Sequence, residues 1–362
     1  MHPLNRKLAR GAELVEARGL TGLCKTAANQ LVSKYHTQKA LPERPVTQPV
    51  HLQVETSKVC NLRCSMCEYS IKKGKGKDNL MPLADFETIL DKFPYVNNID
   101  MTGIGEPFLN PDFMDMVRAA RKRKIRVEFV SHALLLNEPL MHELIDLGVS
   151  VISFSIDAAT KKTYEELRSG ANWERMRENI KKFCSLVKER HSLMVTMVNF
   201  TVSMRNINEM ADFVRTADEL GVDHALFRDL ILFDGSDFDD TDSVANLDRS
   251  YRDKIRDEVL AAAKNARARV SLPMSLLSPD GPRKKLCKRP WTTCYVDIKG
   301  NAYPCCRVTQ RNEDTSKWSF GNLLKEDFDS IWNNSKYRTL RHGIAHPTDI
   351  PDLCNTCSLL VK

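Results

Sequence analysis

No run of the 362-residue sequence stays apolar for the roughly 18 residues that a membrane-spanning helix needs. The N-terminus shows neither the apolar stretch nor the small-residue cleavage site of a secretory signal. Glu13 and Glu16 break the acid-poor pattern of a mitochondrial presequence, so a cytoplasmic protein is expected. Internal repeats are missing, which argues against solenoids and propellers. Aromatic residues make up only 7% of the chain and do not interleave with the basic ones, as platforms for stacked bases do. The formal charge of +7 is therefore not read as a nucleic-acid signal. It sits at the ends. Residues 1–49 carry eight Lys/Arg against three Asp/Glu and residues 281–362 carry fourteen against eight, which leaves the middle at −4. Basic ends suit an acidic partner or a membrane surface.

Cysteine, by contrast, is plentiful. The eleven cysteines are not spread as a disulfide framework, and a chain of this length has no need of one. Seven fall into clustered spacings that, in a reducing compartment, read as metal ligands. The first cluster is Cys60-Asn-Leu-Arg-Cys64-Ser-Met-Cys67. Three thiolates on one loop can hold three irons of a [4Fe–4S] cubane, leaving the fourth iron open to a small ligand. A structural zinc would want a fourth ligand, and none lies nearby in the sequence. Near the C-terminus come Cys287, Cys294, Cys305, Cys306 and the pair Cys354-Asn-Thr-Cys357. That terminal C-x2-C, joined to upstream cysteines, makes a closed four-thiolate site, for which zinc and an iron–sulfur cluster both remain open.

Period-2 and period-3.6 patterns divide the chain between these clusters. Strands are expected at His51–Thr56, Asn98–Thr102, Arg126–Ser131, Val149–Ile156, Met194–Ser203 and Asp223–Asp229. Amphipathic helices are expected at Leu83–Lys92, Asp112–Lys124, Glu138–Leu147, Tyr164–Glu189 and Ile207–Leu220, with Gly148 and Gly221 at helix ends. Six β/α units make a parallel sheet, flat or curled into a partial (β/α)6 barrel, with its site at the C-terminal strand ends. The expected domains are a helical arm at 1–49, the α/β core at 50–233, a linker with a helix (Tyr251–Ala268) at 234–280, and a small metal-held module at 281–362. The acidic stretch 234–242 reads as solvated linker rather than a calcium site. The lysine-rich loop 72–77 reads as a solvated loop, with phosphate binding as the alternative.

The strand ends carry chemistry. Strand two ends in Gly103-Ile104-Gly105-Glu106, whose glycines permit close backbone approach and whose carboxylate can accept from an amine. Strand three ends in Ser131-His132; His132 is a candidate cofactor contact or acid/base group. Strand four ends in Ser155-Ile156-Asp157, followed by Arg168, a fork suited to a carboxylate or simply an exposed helix charge.

The C-x3-C-x2-C loop after the first strand and the Gly-x-Gly-Glu turn about 40 residues on resemble the radical S-adenosylmethionine (SAM) superfamily. Met66 stands where that family often has an aromatic. The resemblance implies that SAM chelates the open iron and yields a 5′-deoxyadenosyl radical, which takes hydrogen from a substrate. It makes Gly103, Gly105, Glu106, Ser155, Asp157 and Arg168 candidate SAM contacts, and implies a reductant such as flavodoxin or ferredoxin. The C-terminal pattern, Cys287-x12-Gly300-x4-Cys305 with Gly321-Asn322-Leu323, Ile331-Trp332 and the terminal C-x2-C, resembles the SPASM/twitch extensions of that superfamily. It implies a second [4Fe–4S] cluster on Cys287, Cys305, Cys354 and Cys357. Cys306, adjacent to Cys305 in an extended segment, would then point away.

Cys294 and Cys306 are left as candidate hydrogen donors for an epimerisation. Arg228, Asp229 and His132 are candidate groups for the proton of an oxidation. A small polar substrate (a sugar, aminocyclitol or nucleotide) is expected, with a peptide-maturing enzyme and a non-catalytic metal protein as alternatives.

Overall fold

A computed structural model of the chain describes residues 21–67, 77–232, 236–277, 287–308, 315–346 and 354. The lysine-rich loop 72–76, residues 281–286 and Cys357 lie outside the described residues. Six parallel strands form the centre: β1 (His51–Val54), β3 (Asn98–Asp100), β4 (Arg126–Ser131), β5 (Val151–Ser155), β7 (Val195–Val202) and β8 (His224–Asp229). They lie side by side in chain order, with β9 (Arg269–Ser271) parallel beyond β8, and the sheet does not close on itself among the described residues. A two-stranded ribbon, β2 (Arg63–Cys64) with β6 (Arg168–Ser169), stands apart from it.

The register explains which face does what. Gln53 pairs with Asp100, Asp100 with Glu128, Glu128 with Val151, and Ser155 with Asn199. Side chains alternate along a strand. Leu52, Val54, Ile99, Val127, Phe129, Ile152, Phe154, Val198, Phe200 and Phe227 therefore share one face, and all are buried. The other face carries His51, Gln53, Asn98, Asp100, Glu128, Ser153, Ser155, Asn199, Thr201 and Arg228. A parallel sheet covered on both faces would be apolar on both. This one mixes polar residues with Val130, Val151, Met197 and Leu226 on the face away from its helices, which is the concave inside of a partial barrel.

The helices that follow these strands are α1 (Leu83–Asp91), α2 (Phe113–Lys122), α3 (Glu138–Asp146), α4 (Lys161–Leu167), α5 (Trp173–Glu189), α6 (Met210–Leu220) and α7 (Arg249–Lys264). The single helix expected over Tyr164–Glu189 is two. Arg168 and Ser169 leave it to pair with β2, Gly170 turns at φ 89°, and Asn172 caps α5 by accepting from the Arg175 amide at 2.8 Å.

The C-terminal segment joins the sheet instead of standing beside it. β10 (Thr293–Val296) pairs parallel with the open edge of β1, and β11 (Ala302–Tyr303) folds back antiparallel on β10. Trp291, Tyr295, Tyr303, Trp332, Tyr337 and Arg341 are buried in and around this hairpin, and its apolar residues are continuous with the core of the sheet.

The N-terminal arm is helical from 21 to 35 and ends in a π-turn, His36–Ala40. Its linker is pinned through backbone carbonyls. Pro42 accepts from the Trp291 indole at 2.7 Å, Thr47 from the Trp332 indole at 2.8 Å, and Glu43 from the Arg341 guanidinium at 3.0 Å. Gln30, Ser33, Lys34 and Thr37 of the arm share a cleft of about 740 Å³ with His51, Asn98, Arg126 and Glu128 at the N-terminal strand ends. No helix among the described residues is long and apolar enough to cross a membrane.

Candidate active site

The loop leaving β1 carries Cys60, Cys64 and Cys67. Cys64 is buried and the other two are partly so. The loop is fixed by its ribbon: Cys64 pairs with Arg168, the Ser65 amide donates to Leu167 O at 2.9 Å, and the Cys67 amide donates to Cys64 O at 3.0 Å. Burial pushes the Cys60 thiol up to about 11 and raises Cys64 as well. Taking up a metal group must therefore expel protons. Among the described residues, one group of three ligating side chains has all its donor atoms within 4.8 Å of one another, and it contains no cysteine. Three cysteines sharing one zinc, at Zn–S of about 2.3 Å, would hold their sulfurs roughly 3.8 Å apart. The three-thiol loop fits a larger cluster with a corner left for another ligand.

The Gly-x-Gly-Glu turn packs directly on this loop. A Cβ at Gly105 would lie 2.5 Å from Val59 O and 2.7 Å from Ser57 O, and one at Gly103 would lie 2.3 Å from Glu55 Cγ. The glycines thus admit the cysteine loop and Glu55, a closer demand than the expected approach of a ligand. The Gly105 amide donates to Ser57 O at 3.0 Å and the Glu106 amide to Val59 O at 2.8 Å. Glu55 is fully buried, and its Oε1 accepts from the Ile104 amide at 3.1 Å. Sequence reading passed over it.

Glu106 is 3% exposed, and burial pushes its carboxyl up to about 7. It accepts from Ser131 Oγ at 2.9 Å and from the His132 amide at 3.0 Å. The His132 ring lies 3.3 Å from Glu106 and 2.8 Å from Asn61 Oδ1, and burial lowers its pKa to about 4. A neutral imidazole pinned between Glu106 and the cysteine loop serves as a brace for both.

Arg168 is not an exposed helix charge. It is buried and ion-paired with Asp157, donates to Ile156 O at 3.2 Å, and points an N–H at Cys64 Sγ from 3.6 Å. Asp157 sits at φ 64° and also accepts from the Thr201 amide at 2.6 Å. Its carboxylate is thereby committed to holding Arg168 and β7. Ser155 is half-buried at the end of β5, on the concave face.

Below these groups the concave face holds polar residues that sequence reading did not single out. The ligand atoms of His51, Asp100 and Glu128 all lie within 4.8 Å of one another. The Asn98 amide reaches His51 Nδ1 at 2.9 Å and Glu128 Oε1 at 2.7 Å. Burial pushes Asp100 up to about 7 and His51 down to about 4. Ser153 Oγ and Asn199 Oδ1 are buried on this face and have no partner among the described residues. Orphaned buried acceptors are costly, and a bound ligand would satisfy them. Arg228 is exposed at the end of β8, while Asp229 accepts from the Met274 and Ser275 amides, so it caps a short helix.

The second cysteine group lies at the opposite end of β1. Cys287 precedes the turn Arg289–Thr292, which enters β10 level with His51, the first residue of β1. Cys305 lies two residues beyond β11, which runs back to that same end. The charge of Arg289 acts on Cys306, Cys305 and Cys287 together. Two expectations fail here. The segment at Cys306 is not extended: it is a 3-10 turn, Cys306–Val308. Cys294 is 0% exposed, and burial pushes its thiol up to about 12. It pairs with Leu52 on the apolar face, which removes it from the chamber and from the role of hydrogen donor. Cys354 packs against the same core.

Two family models match this chain: the radical SAM superfamily over residues 54–220, and an iron–sulfur cluster-binding domain, SPASM, over 287–358. The chain belongs to the radical SAM superfamily and carries a SPASM domain; its cofactors are SAM and iron–sulfur clusters. It is similar to the tungsten-containing aldehyde ferredoxin oxidoreductase cofactor-modifying protein of Pyrococcus furiosus, 27% identical over 85% of this chain and 87% of that protein. It is also similar to the PqqA peptide cyclase of Gluconobacter oxydans, 23% identical over 85% of this chain and 82% of that one. Among solved structures, Streptococcus suis SuiB bound to S-adenosylmethionine superposes with a TM-score of 0.65 at 17% identity, covering 86% of this chain and 71% of that one.

Proposed function

We propose that this radical SAM enzyme takes hydrogen from a small polar substrate held in the concave chamber, and that the resulting substrate radical is oxidised. The observation that carries the reading is the pair of cysteine groups at opposite ends of β1, with a polar face between them. When bound, SAM on the first cluster supplies a 5′-deoxyadenosyl radical and the SPASM cluster a one-electron acceptor.

The chain's own residues do the rest. Gly103, Gly105 and Glu106 present an acceptor to the SAM amine, and Arg168, steadied by Asp157, presents donors to its carboxylate; Ser155 faces the nucleoside side. Ser153 and Asn199 offer unspent hydrogen-bonding atoms to a hydroxyl or amine. The substrate loses one hydrogen atom, then one electron and one proton, which completes a two-electron oxidation such as alcohol to ketone. Asp100 suits the proton step better than the exposed Arg228 or the braced His132. Its carboxyl is raised to about 7, near working pH, and it faces the chamber. An external reductant of the flavodoxin or ferredoxin kind supplies the initiating electron. Epimerisation is the redox-neutral variant, with Cys306 as the remaining thiol. The likeness to a peptide cyclase favours one second reading, a peptide side chain in the chamber.

Anaerobic reconstitution tests the proposal. About eight irons per chain, two cubanes, are expected, with 5′-deoxyadenosine formed after reduction. Two zincs and no SAM cleavage would overturn it. Deuterium transfer into 5′-deoxyadenosine from candidate substrates separates small molecule from peptide.

A further inference from the structure

We propose that Glu55 is a positioning residue for SAM: seated against the SPASM strand β10, it holds the Gly-x-Gly-Glu turn at the cysteine loop so that Glu106 meets the SAM amine. The inference rests on the functional reading above in one respect, the assignment of Glu106 to that amine. Glu55 follows the last residue of β1, and its amide donates to Val296 O at 2.9 Å, which carries the β1–β10 pairing one residue further. Its side chain is fully buried. Oε1 accepts from the Ile104 amide at 3.1 Å, and Oε2 lies 3.4 Å from Nζ of Lys58, two residues before Cys60. One residue thus joins the SPASM strand, the turn and the cysteine loop.

Two features set this contact apart from core filling. A buried carboxylate is costly, and an apolar side chain of similar size would occupy the space without that cost. What the carboxylate adds is an acceptor for Ile104, in the middle of the turn. The turn is also shaped to receive it: a Cβ at Gly103 would lie 2.3 Å from Glu55 Cγ and 2.9 Å from Oε1. The next two amides, of Gly105 and Glu106, donate to Ser57 O at 3.0 Å and to Val59 O at 2.8 Å. Successive amides of the turn are therefore all fastened, and the bond to Glu55 is the one made by a side chain. The far support is fixed as well. Asp297, next to Val296, accepts from the Asn301 amide at 2.9 Å and from the Tyr303 hydroxyl at 3.1 Å. Glu55 acts on SAM only through the turn that carries Glu106.

The test pairs two variants. Glu55→Leu keeps bulk against Gly103 and removes both oxygens, whereas Glu55→Gln keeps an oxygen to accept from Ile104. Amide hydrogen exchange at Ile104 in the unloaded chain reads the bond itself. Equilibrium dialysis of SAM against the anaerobically reconstituted enzyme reads its consequence, beside iron content. Glu55→Leu is expected to speed exchange at Ile104, to keep native iron content and to weaken SAM binding roughly 2- to 10-fold, the range of one hydrogen bond. Glu55→Gln should match the native enzyme in all three. Native SAM affinity in Glu55→Leu overturns the inference. Binding by Glu55→Gln as weak as that of Glu55→Leu also overturns it, because charge and not the acceptor would then matter. So does loss of iron from Glu55→Leu, since Glu55 would then be a structural support. Turnover plays no part in the readout. A native enzyme that binds SAM and never oxidises a substrate would sink the functional proposal and leave this one standing.

Discussion

Gly105→Ala isolates the contact on which the first site depends. The new Cβ would lie 2.5 Å from Val59 O and 2.7 Å from both Ser57 O and Val59 N. All three are backbone atoms of the segment that leads into Cys60, so no side chain can swing aside. To restore an ordinary 3.4 Å contact the segment must retreat by about 0.9 Å, the difference of those two separations. Overpacking of this kind costs roughly 1–3 kcal/mol. The retreat also stretches the bonds from the Gly105 and Glu106 amides to Ser57 O and Val59 O, worth roughly 0.5–1.5 kcal/mol each. The total is about 2–6 kcal/mol, with Cys60 and Glu106 both displaced.

Urea unfolding of the unloaded protein reads the stability, and iron content after reconstitution reads the cysteine loop. A control separates this mechanism from a general intolerance of bulk. At Gly103 the obstacle is the Glu55 side chain, so adding Glu55→Ala should recover part of the stability lost in Gly103→Ala and none of that lost in Gly105→Ala. If Gly105→Ala keeps native stability, iron and SAM affinity, the reasoning is wrong.

Asp157→Asn leaves the buried Arg168 charge without its partner and should cost about 3–5 kcal/mol, read by denaturant midpoint, along with much of the SAM affinity, read by equilibrium dialysis. Glu106, raised by burial to about 7, is about half protonated at neutral pH in the unliganded protein. Hydrogen bonds from the iron-bound SAM amine favour the ionised carboxylate, so SAM binding should release roughly half a proton from Glu106 at pH 7, more towards pH 6 and almost none at pH 9, beside the proton that the amine itself gives up on binding iron. Calorimetry in buffers of different ionisation enthalpy measures the total release, which Glu106→Gln should lower by the Glu106 share. Cys294→Ala, a core change, should cost about 1 kcal/mol while product, stereochemistry and iron count stay native; an altered product ratio would return Cys294 to the chemistry.

What the sequence discloses divides by the range of the interaction. Cys60, Cys64 and Cys67 are legible because one loop carries them, and Gly105-Glu106 because a strand end does. Arg168 is ambiguous in sequence because its meaning comes from a two-residue ribbon with Cys64, 104 positions away. The side of Cys306 cannot be read from sequence by strand alternation, because its backbone is a 3-10 turn and not an extended segment. Asp100, Ser153 and Asn199 left a signal in plain view. Their strands alternate apolar with polar residues, where strands of a fully covered parallel sheet would be apolar throughout. That alternation marks the open face before any coordinates are seen.

The two cysteine groups owe their spacing to the sheet. β1 contributes only four residues, about 10 Å at roughly 3.3 Å per residue. One group continues from its C-terminal end, and the other precedes its paired neighbour β10 at the N-terminal end. The β1–β10 ladder sets the two loops at opposite ends of the paired strands. A module docked only by side chains would leave that gap adjustable. Strand pairing fixes it, and the carbonyls of Pro42, Glu43 and Thr47 fix it a second time by tying the arm to Trp291, Arg341 and Trp332. These bonds anchor the arm on the SPASM hairpin, and its Gln30, Ser33, Lys34 and Thr37 line the cleft beside His51 and Glu128.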